Sequence, residues 1–208
     1  MQITGAMKKI ILLILTALIA VSAAFADGKG KPLVIYFSWG EFQKNDLDAS
    51  TSASIMVDKS EKYGITELLA RQIAGSTGAD IWRIEPEDAY PAKYDTCTEV
   101  VDDELKKGII RQVKGSPDFS KYDTIFVGCP VWWHTAPTMV TSFLQEHKEE
   151  LTGKTVIPFV TFWSTFSKET LAALVKATPT AEHKEGFATD APKQKATDKW
   201  LSRIGEKP

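Results

Sequence analysis

Residues 122–129 carry the apolar run Ile125-Phe126-Val127-Gly128-Cys129, and Pro130 stops it at once. A run this short, β-branched and aromatic, and closed by a proline reads as a strand buried on both faces. A sheet buried on both faces must be covered by helices on each side, which confines the chain to the α/β class. The rest of the sequence agrees. In chain order Leu33-Val34-Ile35-Tyr36-Phe37 is a first, continuous apolar strand, residues 122–129 are the third, and residues 155–162 read as the fourth. Residues 79–85 alternate apolar and polar and stop at Pro86, as an edge strand would. A weak fifth strand falls at 183–188. Apolar spacing predicts helices at 66–74, 95–107, 137–147, 167–176 and 193–204, with Ser167 as an N-cap. Strand and helix alternate, so the sheet is expected to be parallel, with right-handed crossovers.

One stretch breaks the alternation. Residues 41–63 separate the first strand from the first helix and are rich in Ser, Asp, Lys and Thr. They far exceed the usual βα loop of about 2–6 residues. They are expected to form a polar flap over a ligand, with no core of their own.

The N-terminus reads as a separate piece. Lys8 and Lys9 precede an apolar run over 10–21, and Ala24-Phe25-Ala26 precedes the polar Asp27. Basic, apolar and A-x-A regions in that order predict a signal peptide over 1–26, cleaved after Ala26. The mature domain is then 27–208, secreted or periplasmic, with no stable membrane insertion after cleavage. That compartment permits disulfides, but Cys97 and Cys129 read as buried free thiols, one bridge being the alternative. The 208 residues suffice for one domain with a sizeable core. Lys plus Arg is 25 against 27 for Asp plus Glu, so no basic surplus suggests a nucleic-acid partner. No His, Cys and carboxylate cluster suggests a metal, and no ordered Ser, His and Asp set suggests a hydrolase.

In an open parallel sheet, ligands bind beyond the carboxyl ends of the strands, where the strand order reverses. Three segments lie there. Ser38, Trp39 and Gly40 follow the first strand, and Gly64, Ile65 and Thr66 open the first helix. A hydroxyl, glycines and a helix N-terminus suit a phosphate, because free N–H groups and the positive dipole end face the anion. A plain turn with Thr66 as N-cap fits the same residues. Pro130, Val131, Trp132, Trp133, His134 and Thr135 follow the third strand. Adjacent indoles beyond a finished strand suit a flat ring, or else one closes the core and the other lies on the surface. His134 is either a proton or hydrogen-bond donor to such a ring or a surface residue. Thr161, Trp163 and Phe166 bring aromatics and a hydroxyl to the end of the fourth strand. His147 and His183 read as surface residues.

Three stretches together resemble the flavodoxin family, in its branch of stand-alone single-domain proteins: Leu33-Val34-Ile35-Tyr36-Phe37-Ser38, Tyr122-Asp123-Thr124-Ile125-Phe126-Val127-Gly128-Cys129-Pro130-Val131-Trp132-Trp133 and Leu151-Thr152-Gly153-Lys154-Thr155-Val156-Ile157-Pro158-Phe159. Glu85-Pro86 and Tyr90-Pro91-Ala92-Lys93-Tyr94 fit the same branch. The resemblance implies a three-layer α/β sandwich on a five-stranded parallel sheet of order 2-1-3-4-5, with FMN at the switch between strands one and three. It implies the FMN phosphate on Ser38, Gly40, Gly64, Ile65 and Thr66. The flavin ring would lie against residues 130–135 and the loop from Thr161, flanked by Trp132 or Trp133 and by Trp163. Two departures stand out. The family's compact phosphate loop is split by residues 41–63, and its often glycine-rich third loop is Phe162-Trp163-Ser164-Thr165-Phe166. The implied function is electron or hydride transfer through FMN in the cell envelope, as a carrier or an FMN-dependent oxidoreductase. Its partner would be a redox protein or a small-molecule acceptor, and no side chain is needed as a nucleophile. Two other readings are a quinone or small-molecule reductase fed by a nicotinamide donor, and a flavin-free binding protein that kept the fold.

Overall fold

The computed structural model describes residues 30–41, 55–163 and 165–206. The expected signal peptide lies outside the described residues, and the fold concerns the unit Lys31–Pro208. Its elements run β1 (Leu33–Tyr36), β2 (Ile55–Asp58), β3 (Glu61–Gly64), α1 (Ile65–Thr77), β4 (Asp80–Arg83), α2 (Tyr94–Lys107), β5 (Thr124–Pro130), α3 (Thr138–Glu146), β6 (Thr155–Thr161), α4 (Ser167–Ala177), β7 (Glu182–His183), β8 (Phe187–Thr189) and α5 (Gln194–Arg203).

The main sheet is parallel in the order β4-β1-β5-β6, with β7 and β8 both on the outer side of β6. With the separate hairpin β2-β3 set aside, this is the order 2-1-3-4-5. Successive side chains of a strand point to opposite faces, and here both faces are covered. Leu33, Ile35 and Val127 pack with Val101 of α2, Val140, Phe143 and Leu144 of α3 and Leu174 of α4. Val34, Tyr36, Phe126 and Ile157 pack with Leu69 and Ile73 of α1 and Trp200 and Leu201 of α5. The result is three layers, and each large apolar side chain so buried contributes about 1.5–3 kcal/mol. The edge strand β4 alternates as expected: Ile81 and Arg83 are exposed, while Trp82 stacks on Phe143 at 5.2 Å. Cys97 and Cys129 are buried free thiols, and burial pushes Cys97 up to about 12.

Four expectations need correction. The fifth strand is two short pieces. Pro158 has no N–H to give the ladder, and the outer strand breaks opposite it. There Gly186 passes so close that a Cβ would lie 2.8 Å from the Pro158 carbonyl oxygen. Ser167 is not the N-cap of α4. The carbonyl of Phe166 accepts the first helical N–H, from Thr170 at 3.0 Å, so Phe166 holds that position. His147 is no plain surface residue, because its ring packs against Phe143 at 4.6 Å and Phe119 at 5.3 Å.

The fourth correction concerns the expected loop over 41–63. Its C-terminal part is an antiparallel hairpin, β2-β3, turned at Lys59 and Ser60 with φ of 47° and 72°. Two consecutive positive φ values match the twist of a two-residue hairpin turn. The hairpin leads straight into α1, whose Arg71 guanidinium lies 5.7 Å from the Tyr63 ring. Residues 42–54 of the expected flap lie outside the described residues.

Candidate cofactor-binding site

The carboxyl ends of β1, β5 and β6 lie side by side, because these strands are neighbours and parallel. Beyond β1 the chain passes through Phe37 and Ser38 into a single 3-10 turn, Trp39–Glu41. Ser38 is fully buried, and its Oγ has no hydrogen-bond partner among the described residues. That hydroxyl sits against the start of α1: a Cβ on Gly64 would lie 2.2 Å from Ser38 Oγ and 2.9 Å from the Glu41 nitrogen. Gly64 is extended (φ −62°, ψ 140°), so glycine is needed for close approach and not for a left-handed turn. The first-turn N–H groups of a helix lack intrahelical acceptors, and its dipole is positive there. A buried, unpartnered hydroxyl beside such an N-terminus fits an anion. Thr66 is also buried, its hydroxyl 2.8 Å from that of Thr161 at the end of β6.

Two carboxylates stand at the same end. Glu67 is 1% exposed, accepts the Gly64 N–H at 2.9 Å and pairs with Arg71 at 3.0 Å. The Glu41 side chain is 8% exposed; Oε1 pairs with Arg83 at 3.2 Å, and Oε2 has no partner among the described residues. Burial and then the Glu67 charge raise the Glu41 carboxyl above its ordinary value, against the pull of Tyr36 and Arg83. Burial and then Glu41 raise the Tyr36 phenol as well. Arg83 is shared, since it also holds Glu85 at 2.6 Å.

Beyond β5 the Val131 N–H donates to the Thr161 carbonyl at 2.8 Å, which keeps the two loops in register. Trp132 and Thr135 then exchange N–H···O bonds of 2.7 and 3.1 Å around a two-residue turn. The turn residues are Trp133 (φ 47°) and His134 (φ 67°). On the next loop Phe166 has φ 65°, and its ring lies 4.2 Å from that of His134. A bulky side chain at positive φ costs on the order of 1–3 kcal/mol, and such strain collects at ligand sites. Trp132 turns inward, with Tyr90, Phe37 and Trp39 rings at 5.3, 5.8 and 6.2 Å. Trp133, Phe166 and Trp163 stay in solvent, Trp163 at 68% exposure.

The family model described as flavodoxin matches residues 54–204, most of the chain. The chain belongs to the flavodoxin family. A provisionally assigned flavoprotein from Bacteroides eggerthii is similar at 26% identity and a TM-score of 0.63, over 85% of this chain and 98% of that one. A second, from Bacteroides uniformis, is similar in fold at 22% identity and a TM-score of 0.60, over 84% and 99%. A flavoprotein from Lactobacillus acidophilus, solved in complex with FMN, shares the fold at 18% identity and a TM-score of 0.60, over 85% and 99%. No protein of curated function matches.

Against the flavodoxin expectation, the structure brings Ser38, Gly40, Gly64, Ile65 and Thr66 together at the start of α1, all buried. Trp39 joins them only by its backbone: its indole is in the core and donates to the Pro91 carbonyl at 2.9 Å. Pro130 and Thr161 are buried strand ends, and Val131 and Thr135 are half-buried. Of the paired indoles, Trp132 packs on the core and Trp133 faces solvent, with His134 and Trp163 also exposed. Sequence reasoning missed Glu41 and Glu67. Glu67 carried one signal, a Glu at the third helical position, where it reaches back to the N-cap amide. Glu41 carried none.

Proposed function

We propose that this flavodoxin binds FMN across the three strand-end loops and serves as a redox protein of the cell envelope. The cofactor is FMN, its phosphate at the start of α1 and its ring beside Trp133, His134 and Trp163. The observation that carries this reading is the buried Ser38 hydroxyl, without a partner among the described residues and set against the α1 N-terminus across a glycine that leaves no room for a Cβ. Bound there, FMN supplies one- and two-electron chemistry. The chain's own residues do the rest. The α1 amides and Ser38 hold the anion, the Val131–Thr161 bond keeps the ring loops in register, and the aromatics shield the ring from water. Export follows from the N-terminal pattern of Lys8, Lys9 and Ala24-Phe25-Ala26. The partner is a redox protein or a small-molecule acceptor.

The test is the absorption spectrum of the purified protein, followed by fluorescence titration of the apo form with FMN. Ser38→Ala should weaken FMN by about 1.5–3 kcal/mol, the range for a hydrogen bond to a charged group, while leaving the fold intact. A colourless protein that does not quench micromolar FMN sinks the reading, and a flavin-free binding protein replaces it.

A further inference from the structure

We propose that Glu41 makes capture of the FMN phosphate proton-coupled: the pocket takes the phosphate with Glu41 as the neutral acid and disfavours it with Glu41 ionised. The inference rests on the FMN reading above. Its basis is the geometry of the anion end. Glu41 sits in the turn that meets Gly64, its backbone nitrogen 2.9 Å from where a Cβ there would stand. Its side chain is buried, and Oε2 is one of two buried side-chain oxygens without a partner among the described residues; the other is Ser38 Oγ. An ionised carboxylate only accepts hydrogen bonds, so an ionised Glu41 adds repulsion and no bond to a phosphate arriving at this end of the sheet. Protonated, the same oxygen becomes a donor, which a phosphate oxygen can satisfy.

The groups facing Glu41 pull in both directions: burial and Glu67 favour the neutral acid, Tyr36 and Arg83 the ionised one. They are the Tyr36 phenol from β1, Glu67 from α1 and Arg83 from β4, with Arg71 holding Glu67. With both carboxylates ionised, each guanidinium already has its own counter-charge, and Arg83 serves Glu85 besides. Among these groups no positive charge is then left for a phosphate, and the helix dipole remains. Neutralising Glu41 removes one negative charge from this end, while Arg83 stays with Glu85, and so turns the balance in favour of an anion. Burial and Glu67 already favour the neutral acid before any ligand arrives. Where Glu41 is ionised in the free protein, binding therefore draws one proton from solvent.

The experiment is a pH series of FMN and riboflavin titrations, followed by flavin fluorescence, on apo wild type and Glu41→Gln. Riboflavin lacks the phosphate and reports the ring site alone. The expected result is that wild-type affinity for FMN falls up to tenfold per pH unit above the Glu41 titration, as linkage requires for one proton. Glu41→Gln should lose that slope, and riboflavin should show none in either protein. The phosphate's own ionisation, near pH 6, moves both proteins alike. Calorimetry of wild type in two buffers of different ionisation enthalpy should show proton uptake with FMN and not with riboflavin, which needs no variant. Equal FMN profiles for the two proteins, without proton uptake, overturn the coupling and leave the cofactor reading standing. No FMN binding at any pH overturns both.

Discussion

The two ends of the proposed site, one for the anion and one for the ring, are built in opposite ways. At the anion end Ser38, Thr66 and Glu67 are fully or almost fully buried, and two of the three are bonded to fixed partners. At the ring end Trp133, Trp163 and Phe166 stand in solvent, and two of them have left-handed backbone. A buried, bonded pocket discriminates sharply, because a misfit leaves polar groups unpaired. An open aromatic rim discriminates weakly, since stacking suits any flat ring. Selectivity in this protein should therefore lie in the phosphate and not in the ring.

Gly64→Ala is the strongest way to break that contrast. Its methyl would fall 2.2 Å from Ser38 Oγ, so FMN affinity should drop at least a hundredfold, about 3 kcal/mol, with riboflavin far less affected. Equal losses for both flavins would show that the two ends are not separable. Thr66→Ala comes next. It removes the buried bond between the Thr66 and Thr161 hydroxyls and should lower stability by about 1–3 kcal/mol in denaturant titration. Adding Thr161→Val should recover part of that loss, and strict additivity would mean the bond contributes nothing.

At the ring end, Trp133→Gly relieves a left-handed tryptophan and should raise stability by up to about 1 kcal/mol while weakening flavin binding. A drop in melting temperature would show that the indole contributes more to packing than its backbone costs. The smallest effect is one of pH. The folded Glu41 carboxyl lies above its ordinary value of 4.5, so the stability it contributes is full below that value and fades as pH rises through the folded one. Glu41→Gln should therefore stabilise the apo protein more at pH 8 than at pH 5. Parallel melting curves for the two proteins would remove the buried charge from the account.

The sheet was legible because β1 and β5 are buried on both faces and so read as unbroken apolar runs. The hairpin β2-β3 was not, although Ile55 and Met56 are apolar. Its turn is Lys59-Ser60, with none of the Gly or Asn that announces positive φ. The same gap hid the turn at Trp133 and His134. Adjacent indoles in a sequence cannot be told apart, and only the left-handed backbone at Trp133 sends it outward while Trp132 goes in. Glu41 and Glu67 escaped because carboxylates are read as solvent-facing, and nothing local says that two of them are buried against arginines.

The interruption at Pro158 has a consequence for the whole molecule. A bare strand at the rim of a sheet is a template on which another chain can add itself, and long flat rims promote aggregation. Here one rim is cut into pieces of two and three residues by a proline and a glycine. The opposite rim, β4, carries Asp80 and Arg83 at its two ends, each in an ion pair. Neither rim offers a long uncharged stretch to a neighbour. Restoring a continuous strand, with Pro158→Val and a residue other than glycine at 186, would extend the sheet and also give it a surface on which to polymerise.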